Sequence, residues 1–301
     1  YHCGAVNGSS TVYYTEYYIQ IGTISSSEVS VSIVDNSQAK QGKINGAYND
    51  KIYYSSADFK TALPLIENYG HLTIEDITIT RHHINNANYA TIENRSGATL
   101  TFKSGTITST YHGIHNHGTL NIEGGTISSC TGSYGIRNET GATLYLKGNP
   151  TITNNSGSNV YLASNTVINV NGTLSNTTPI GITMADLQQE TGSTFTTNLS
   201  GNGTIANFVS DKPSNIGVFD DSGNAKLQTW WKWLQVQMTI NEANIEIDKN
   251  IQPYTSDAGG LEVPSGKTVT LDLNGYTIDR KLTTATTSRS EERFSRNAET
   301  D

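Results

Sequence analysis

The chain has 301 residues, of which 15% are charged and 35% hydrophobic, with 28 glycines and 6 prolines. A composition rich in Thr, Ser, Asn, Ile, Val and Tyr but poor in Leu, Ala, Glu and Lys excludes a helical bundle and simple disorder, leaving an all-β protein with many turns. A net charge of -8 without a basic cluster argues against nucleic acid and anionic membranes as partners, and no apolar run approaches the ~20 residues needed to cross a bilayer.

Residues 1–60 form a β-rich segment that includes Tyr17-Tyr18-Ile19-Gln20-Ile21 and Val29-Ser30-Val31-Ser32-Ile33-Val34, candidates for earlier coils of the array that begins near residue 61. Residues 61–179 then show a repeat. Leu65-Ile66-Glu67-Asn68 is followed by Leu72-Thr73-Ile74 and Ile77-Thr78-Ile79. Thr91-Ile92-Glu93-Asn94 leads to Leu100-Thr101-Phe102 and Gly105-Thr106-Ile107. Gly113-Ile114-His115-Asn116 leads to Leu120-Asn121-Ile122 and Gly125-Thr126-Ile127. Gly135-Ile136-Arg137-Asn138 leads to Leu144-Tyr145-Leu146 and Thr151-Ile152-Thr153. A degenerate fifth copy runs through Val160-Tyr161-Leu162 and Val167-Ile168-Asn169-Val170.

Each copy is three short strands, recurring every ~20 to 28 residues, a solenoid period. One coil buries too little by itself, so neighbours must stack at the ~4.8 Å strand spacing. Stacking predicts one internal column of Leu72, Leu100, Leu120, Leu144 and Ile168, and a second of Ile74, Phe102, Ile122, Leu146 and Val170. Asn68, Asn94, Asn116 and Asn138 share a position after the first strand, where stacked amides can bond one another in a structural ladder.

Residues 180–229, with turns such as Gly201-Asn202-Gly203, carry no matching coil and read as a small β-cap over the last rung. Residues 230–288 open with Trp230, Trp231 and Trp233, read as a hydrophobic plug, and continue as the start of a second β-helix unit. Residues 289–301 break sharply in charge density and are read as a non-native tail.

The pattern from Gly113 to Ile127, Gly-Ile-x-Asn then Gly-Thr-Leu-x-Ile-x-Gly-Gly-Thr-Ile, resembles repeats of bacterial surface, adhesin-like proteins with pectate-lyase-like β-helices. The stretch from Leu199 to Phe208 is similar to segments that close such arrays, and that from Val263 to Gly275 to the opening of another. The tail from Arg289 to Asp301 resembles a translated sequencing adapter, so the chain is expected to be a metagenome-like fragment of a longer protein. The fold expected is all-β, a right-handed parallel β-helix (solenoid) with a small β-cap and the start of a second β-unit. The resemblance implies a secreted or cell-surface context, with glycans or neighbouring-cell surface proteins as partners and no catalytic set.

The chemistry-bearing residues point the same way. Glu75, Lys103, Glu123 and Lys147 form an outward column of alternating charge, and so do Glu93, His115 and Arg137 beside Arg95, His117 and Glu139. His112, His115 and His117 are candidate binding residues. No acid stands between His115 and His117 in the sequence, so they are read as surface histidines, with no metal or cofactor assigned. Tyr89, Tyr111 and Tyr134 recur in corresponding turns, where the favoured reading is tyrosine's general use as an amphipathic residue of strands and turns and the alternative is an exposed row that stacks on sugar rings. Cys3 and Cys130 fit no metal spacing, and whether they pair is open. The function expected is a non-enzymatic surface or adhesion module, a stiff stalk with weak glycan or protein binding. The alternative is a polysaccharide lyase or glycoside hydrolase, which would need acidic residues converging on one face.

Overall fold

The computed structural model describes residues 64–80, 90–254 and 260–280, together with the backbone of strands Ile19–Ile21, Ser30–Val34 and Lys43–Asn45. It divides into two compact units, Tyr1–Gln228 and Thr229–Asp301. No helix among the described residues is long and apolar enough to cross a membrane.

The first unit is a parallel β-solenoid of three sheets, with eight, seven and five strands. Coil 1 comprises the three backbone strands above. Coil 2 has strands Ile66–Asn68, His71–Glu75 and Ile77–Thr80, and coil 3 has Ile92–Asn94, Thr99–Phe102 and Gly105–Thr108. Coil 4 has Ile114–Asn116, Thr119–Ile122 and Thr126–Ser128, and coil 5 has Tyr134–Asn138, Thr143–Gly148 and Thr151–Thr153. Consecutive coils pair in parallel, in register, so that Ile66, Ile92, Ile114, Ile136 and Val160 stand one above another. Leu72, Leu100, Leu120, Leu144 and Ile168 do the same in the second sheet, beside Ile74, Phe102, Ile122, Leu146 and Val170. All of these are buried in one core cluster.

Strand alternation explains the pattern, because every second side chain enters the core and the one between faces out. The third strand then leaves through a left-handed residue at one repeated place, Ser109, Ser129 and Asn154, with φ of 53°, 56° and 55°. Close stacking constrains the turns as well. A Cβ on Gly118 would lie 2.4 Å from the Ala98 carbonyl oxygen and 2.5 Å from that of Arg95, so only glycine fits between the coils there.

Stacking continues past the boundary expected at Pro179. Coil 6 pairs Ser158–Leu162 and Ile168–Leu174 with coil 5. Coil 7 adds Ile180–Met184 and Thr196–Thr197, and Phe208–Ser210 extends the first sheet by one further strand. The expectation that nothing after residue 179 matches a coil is therefore corrected. These strands lack the Asn and Leu-x-Ile markers, but backbone pairing does not require them. The same stretch also holds an antiparallel element. Ser193–Thr194 pairs with Asn224–Thr229, which continues from Ile216–Asp221 through a tight turn at Ser222 and Gly223, both at positive φ.

The second unit has its own core of Trp231, Leu234, Met238, Ile245, Ile247 and Ile251, against which Trp230 and Trp233 pack. Its eight-residue helix, Trp230–Gln237, is capped by the Thr229 hydroxyl, which accepts from the Lys232 amide. Strands Ala243–Glu246 and Val269–Asp272 pair in parallel, followed by a parallel bridge between Ile251 and Ile278.

Candidate functional site

The site is built on the first sheet of coils 2 to 5. Ile66, Ile92, Ile114 and Ile136 enter the core, and the asparagine two residues later closes the strand. The residue between must face the other way. In-register stacking therefore places Glu67, Glu93, His115, Arg137 and Tyr161 in one outward column. The residues just past the asparagines, Tyr69, Arg95, His117 and Glu139, lie alongside it.

The asparagines fix this register. The Asn68 amide donates to Asn94 Oδ1, Asn94 to Asn116 and Asn116 to Asn138, each at 2.7 Å. The same amides donate to the carbonyls of Thr99, Thr119 and Thr143 at 3.0, 2.9 and 3.0 Å. All four asparagines are buried.

The outward column is a continuous charge network. Arg95 donates to Glu67 Oε1 through Nε at 2.8 Å and through a terminal nitrogen at 2.6 Å, and Tyr69 donates to the same oxygen at 2.9 Å. Its other terminal nitrogen stands 3.5 Å from Glu93 Oε2. Glu93 is 0% exposed and its Oε1 accepts from the Ala90 amide at 2.6 Å. His115 sits between two carboxylates, with Nδ1 3.2 Å from Glu93 Oε1 and Nε2 2.8 Å from Glu139 Oε1. Arg137 donates to that same Glu139 oxygen and lies over the Tyr161 ring, 5.0 Å from its centroid. His117 Nε2 is 3.8 Å from Glu93 Oε2.

Burial alone would lower the pKa of His115. The hydrogen bond and charge of Glu93, then those of Glu139, outweigh it and raise the value above the ordinary one. His117 goes the other way, pushed down by burial and by the positive charge of His115 against the pull of Glu93 and Glu139. Burial raises the Glu139 carboxyl, but its bonds to His115 and Arg137 prevail and hold it below the usual range.

Two expectations are corrected here. First, His115, expected at the surface, is buried, as is the candidate binding residue His112. The acid not seen between His115 and His117 in the sequence is Glu93, delivered from the neighbouring coil. Second, the tyrosines do not form an exposed row. Tyr134 is 3% exposed and stacks on the His112 ring at 4.2 Å, with 4° between planes, while Tyr111 tilts against the same ring at 4.4 Å. Tyr89 lies outside the described residues. His112 Nδ1 accepts from the Ser133 amide at 3.0 Å, and burial, then the charges of His115 and Arg137, push its pKa down to about 4.

Elsewhere the outward charges pair rung to rung, Lys103 with Glu75 at 3.6 Å and Lys147 with Glu123 at 3.0 Å. Cys130 is free and buried, its thiol pushed up to about 11 by burial, and Cys3 lies outside the described residues. Glu93, Arg95 and Glu139 were legible in the sequence only as alternating charge, and Glu67 only as a member of its repeat. Offsets of minus one and plus one from the asparagine column were the signal that they share one site.

Among groups that could hold a metal, the donor atoms of Glu93, His115 and His117 all lie within 4.8 Å of one another. In comparisons with known proteins, no family model, curated protein or solved structure matches the chain.

Proposed function

We propose that the protein is a non-enzymatic extracellular surface or adhesion module, a stiff β-solenoid stalk whose stacked turns make weak, repeated contacts with glycans or surface proteins. The observation that supports this most is the pairing of the outward carboxylates with bases. Glu67 is held by Arg95, Glu139 by Arg137 and His115, and Glu93 contacts Arg95 and His115. Carboxylates paired in this way lock one rung on the next. Glycosidic cleavage needs an acid and a second carboxylate flanking an open substrate path. Stacked coils also repeat their turns at one spacing, and individually weak contacts then multiply along a repeating ligand.

A second reading, a polysaccharide lyase or glycoside hydrolase, draws on one observation. Glu67, Glu93 and Glu139 gather on one sheet face around Arg95 and His115. A single assay separates the two. The full chain is passed over immobilised plant polysaccharides and mucin glycans, and both retention and soluble products are measured. Retention without new reducing ends or unsaturated sugars is the expected result. Release of either product overturns the non-enzymatic reading, and no retention on any glycan removes its carbohydrate-binding form.

A further inference from the structure

We propose that Glu93, His115 and His117 bind a divalent transition-metal ion of the zinc class. The inference goes beyond the stalk reading and does not depend on it. Two imidazoles and a carboxylate are the nitrogen and oxygen donors that such borderline cations take, commonly with a fourth position left to water or a ligand. Parallel stacking brings them together from two coils. Glu93 belongs to coil 3, and its register partner on coil 4 is His115, with His117 two residues further on.

The distances suit closure around an ion. His115 Nδ1 is 3.2 Å from Glu93 Oε1, and His117 Nε2 is 3.8 Å from Glu93 Oε2. Ligands bound at about 2.1 Å to one tetrahedral ion stand about 3.4 Å apart. All three donors lie within 4.8 Å of one another, so side-chain rotations that move the donor atoms by about an ångström complete the set while the strands keep their pairing.

An independent observation points to a cation. Glu93 Oε2 is fully buried and accepts no hydrogen bond from any group among the described residues. A buried carboxylate oxygen left in that state is costly, and a metal ion between it and the two imidazoles removes the cost. The surroundings fit as well. Glu139 accepts from His115 Nε2, the kind of outer carboxylate that orients a metal-bound imidazole and leaves Nδ1 as the ligating nitrogen. Arg95 competes for Glu93 Oε2 at 3.5 Å, but its shorter contacts to Glu67 hold the guanidinium whether or not Glu93 is taken.

The test is calorimetric titration of Zn2+ into the chelator-treated full chain in a non-coordinating buffer. One equivalent is expected to bind, with affinity falling more than about tenfold in His117→Ala and unchanged in His71→Ala. His117 is partly exposed, with 35% of its side-chain surface accessible, and circular dichroism verifies that its variant is folded. A second readout needs no variant. In imidazole 15N spectra of the unmodified chain, one equivalent of Zn2+ should move the resonances of His115 and His117 and leave His71 in place. Absence of both heat and shifts, equal binding by folded His117→Ala, or shifts confined to other histidines would each overturn the proposal.

Discussion

At the scale of single residues, the environment of an imidazole decides more than its position in the sequence. Two histidines three residues apart respond oppositely. His115 has carboxylates at both nitrogens, and they raise its pKa above the ordinary value against the effect of burial. His112 accepts a backbone amide at Nδ1, stacks on Tyr134 and is held neutral. With its pKa pushed from 6.5 to about 4, His112 takes up a proton more readily in the unfolded chain than in the folded one. Its contribution to stability is therefore complete above pH 6.5 and is lost as pH falls from there through about 4. The shift corresponds to a loss of up to about 3 kcal/mol. His115, shifted upward, acts above its ordinary value, so the two windows do not overlap. Urea denaturation across pH 4 to 7 should show this decline, with a shallower slope in His112→Gln. An identical slope in that variant would assign the decline to other groups.

At the scale of elements, the ladder and the surface ion pairs look alike in the sequence, since both recur once per coil, yet they differ in weight. Asn116 donates to Asn138 and the Thr143 carbonyl, and accepts from Asn94 and the Gly118 amide. Truncation strands several buried polar groups at once, each worth about 1–3 kcal/mol and not additive. Asn116→Ala is expected to cost about 3 kcal/mol. Lys147→Ala removes a pair whose side chains are 43% and 29% exposed, and should cost less than about 1 kcal/mol. Equal losses in denaturant melts would mean that the asparagines are not what fixes the register. The sequence disclosed the ladder because amides at one position in four successive coils can stack only on their counterparts. Burial of Glu93 was not disclosed, because alternation assigns it to the outer face and says nothing of what packs over that face.

At the scale of the whole molecule, a solenoid is held by contacts between neighbouring coils, so stability depends on how many strands each coil shares with those beside it. Coils 2 to 5 pair through all three sheets, whereas the third sheet ends at Thr151–Thr153 and the first alone reaches Phe208–Ser210. Amide hydrogen exchange should therefore be slowest at Leu100, Leu120 and Leu144 and faster through Ile180–Met184 and Phe208–Ser210. Uniform protection along the unit would show instead that it opens only as one block.

The sequence by itself determined the three-strand coil, the internal columns and the asparagine positions. Each follows from side-chain alternation and a fixed period, which are local properties of the chain. Only the tertiary structure decided how far the stack runs, since backbone pairing carries it through Ile180–Met184 and Phe208–Ser210 without the side-chain markers. It also decided that Glu93 meets His115 and His117, and that His112 and Tyr134 share one buried stack. These groups come from different coils, and their distances and burial depend on what packs over the outer face of the sheet, which side-chain alternation does not encode.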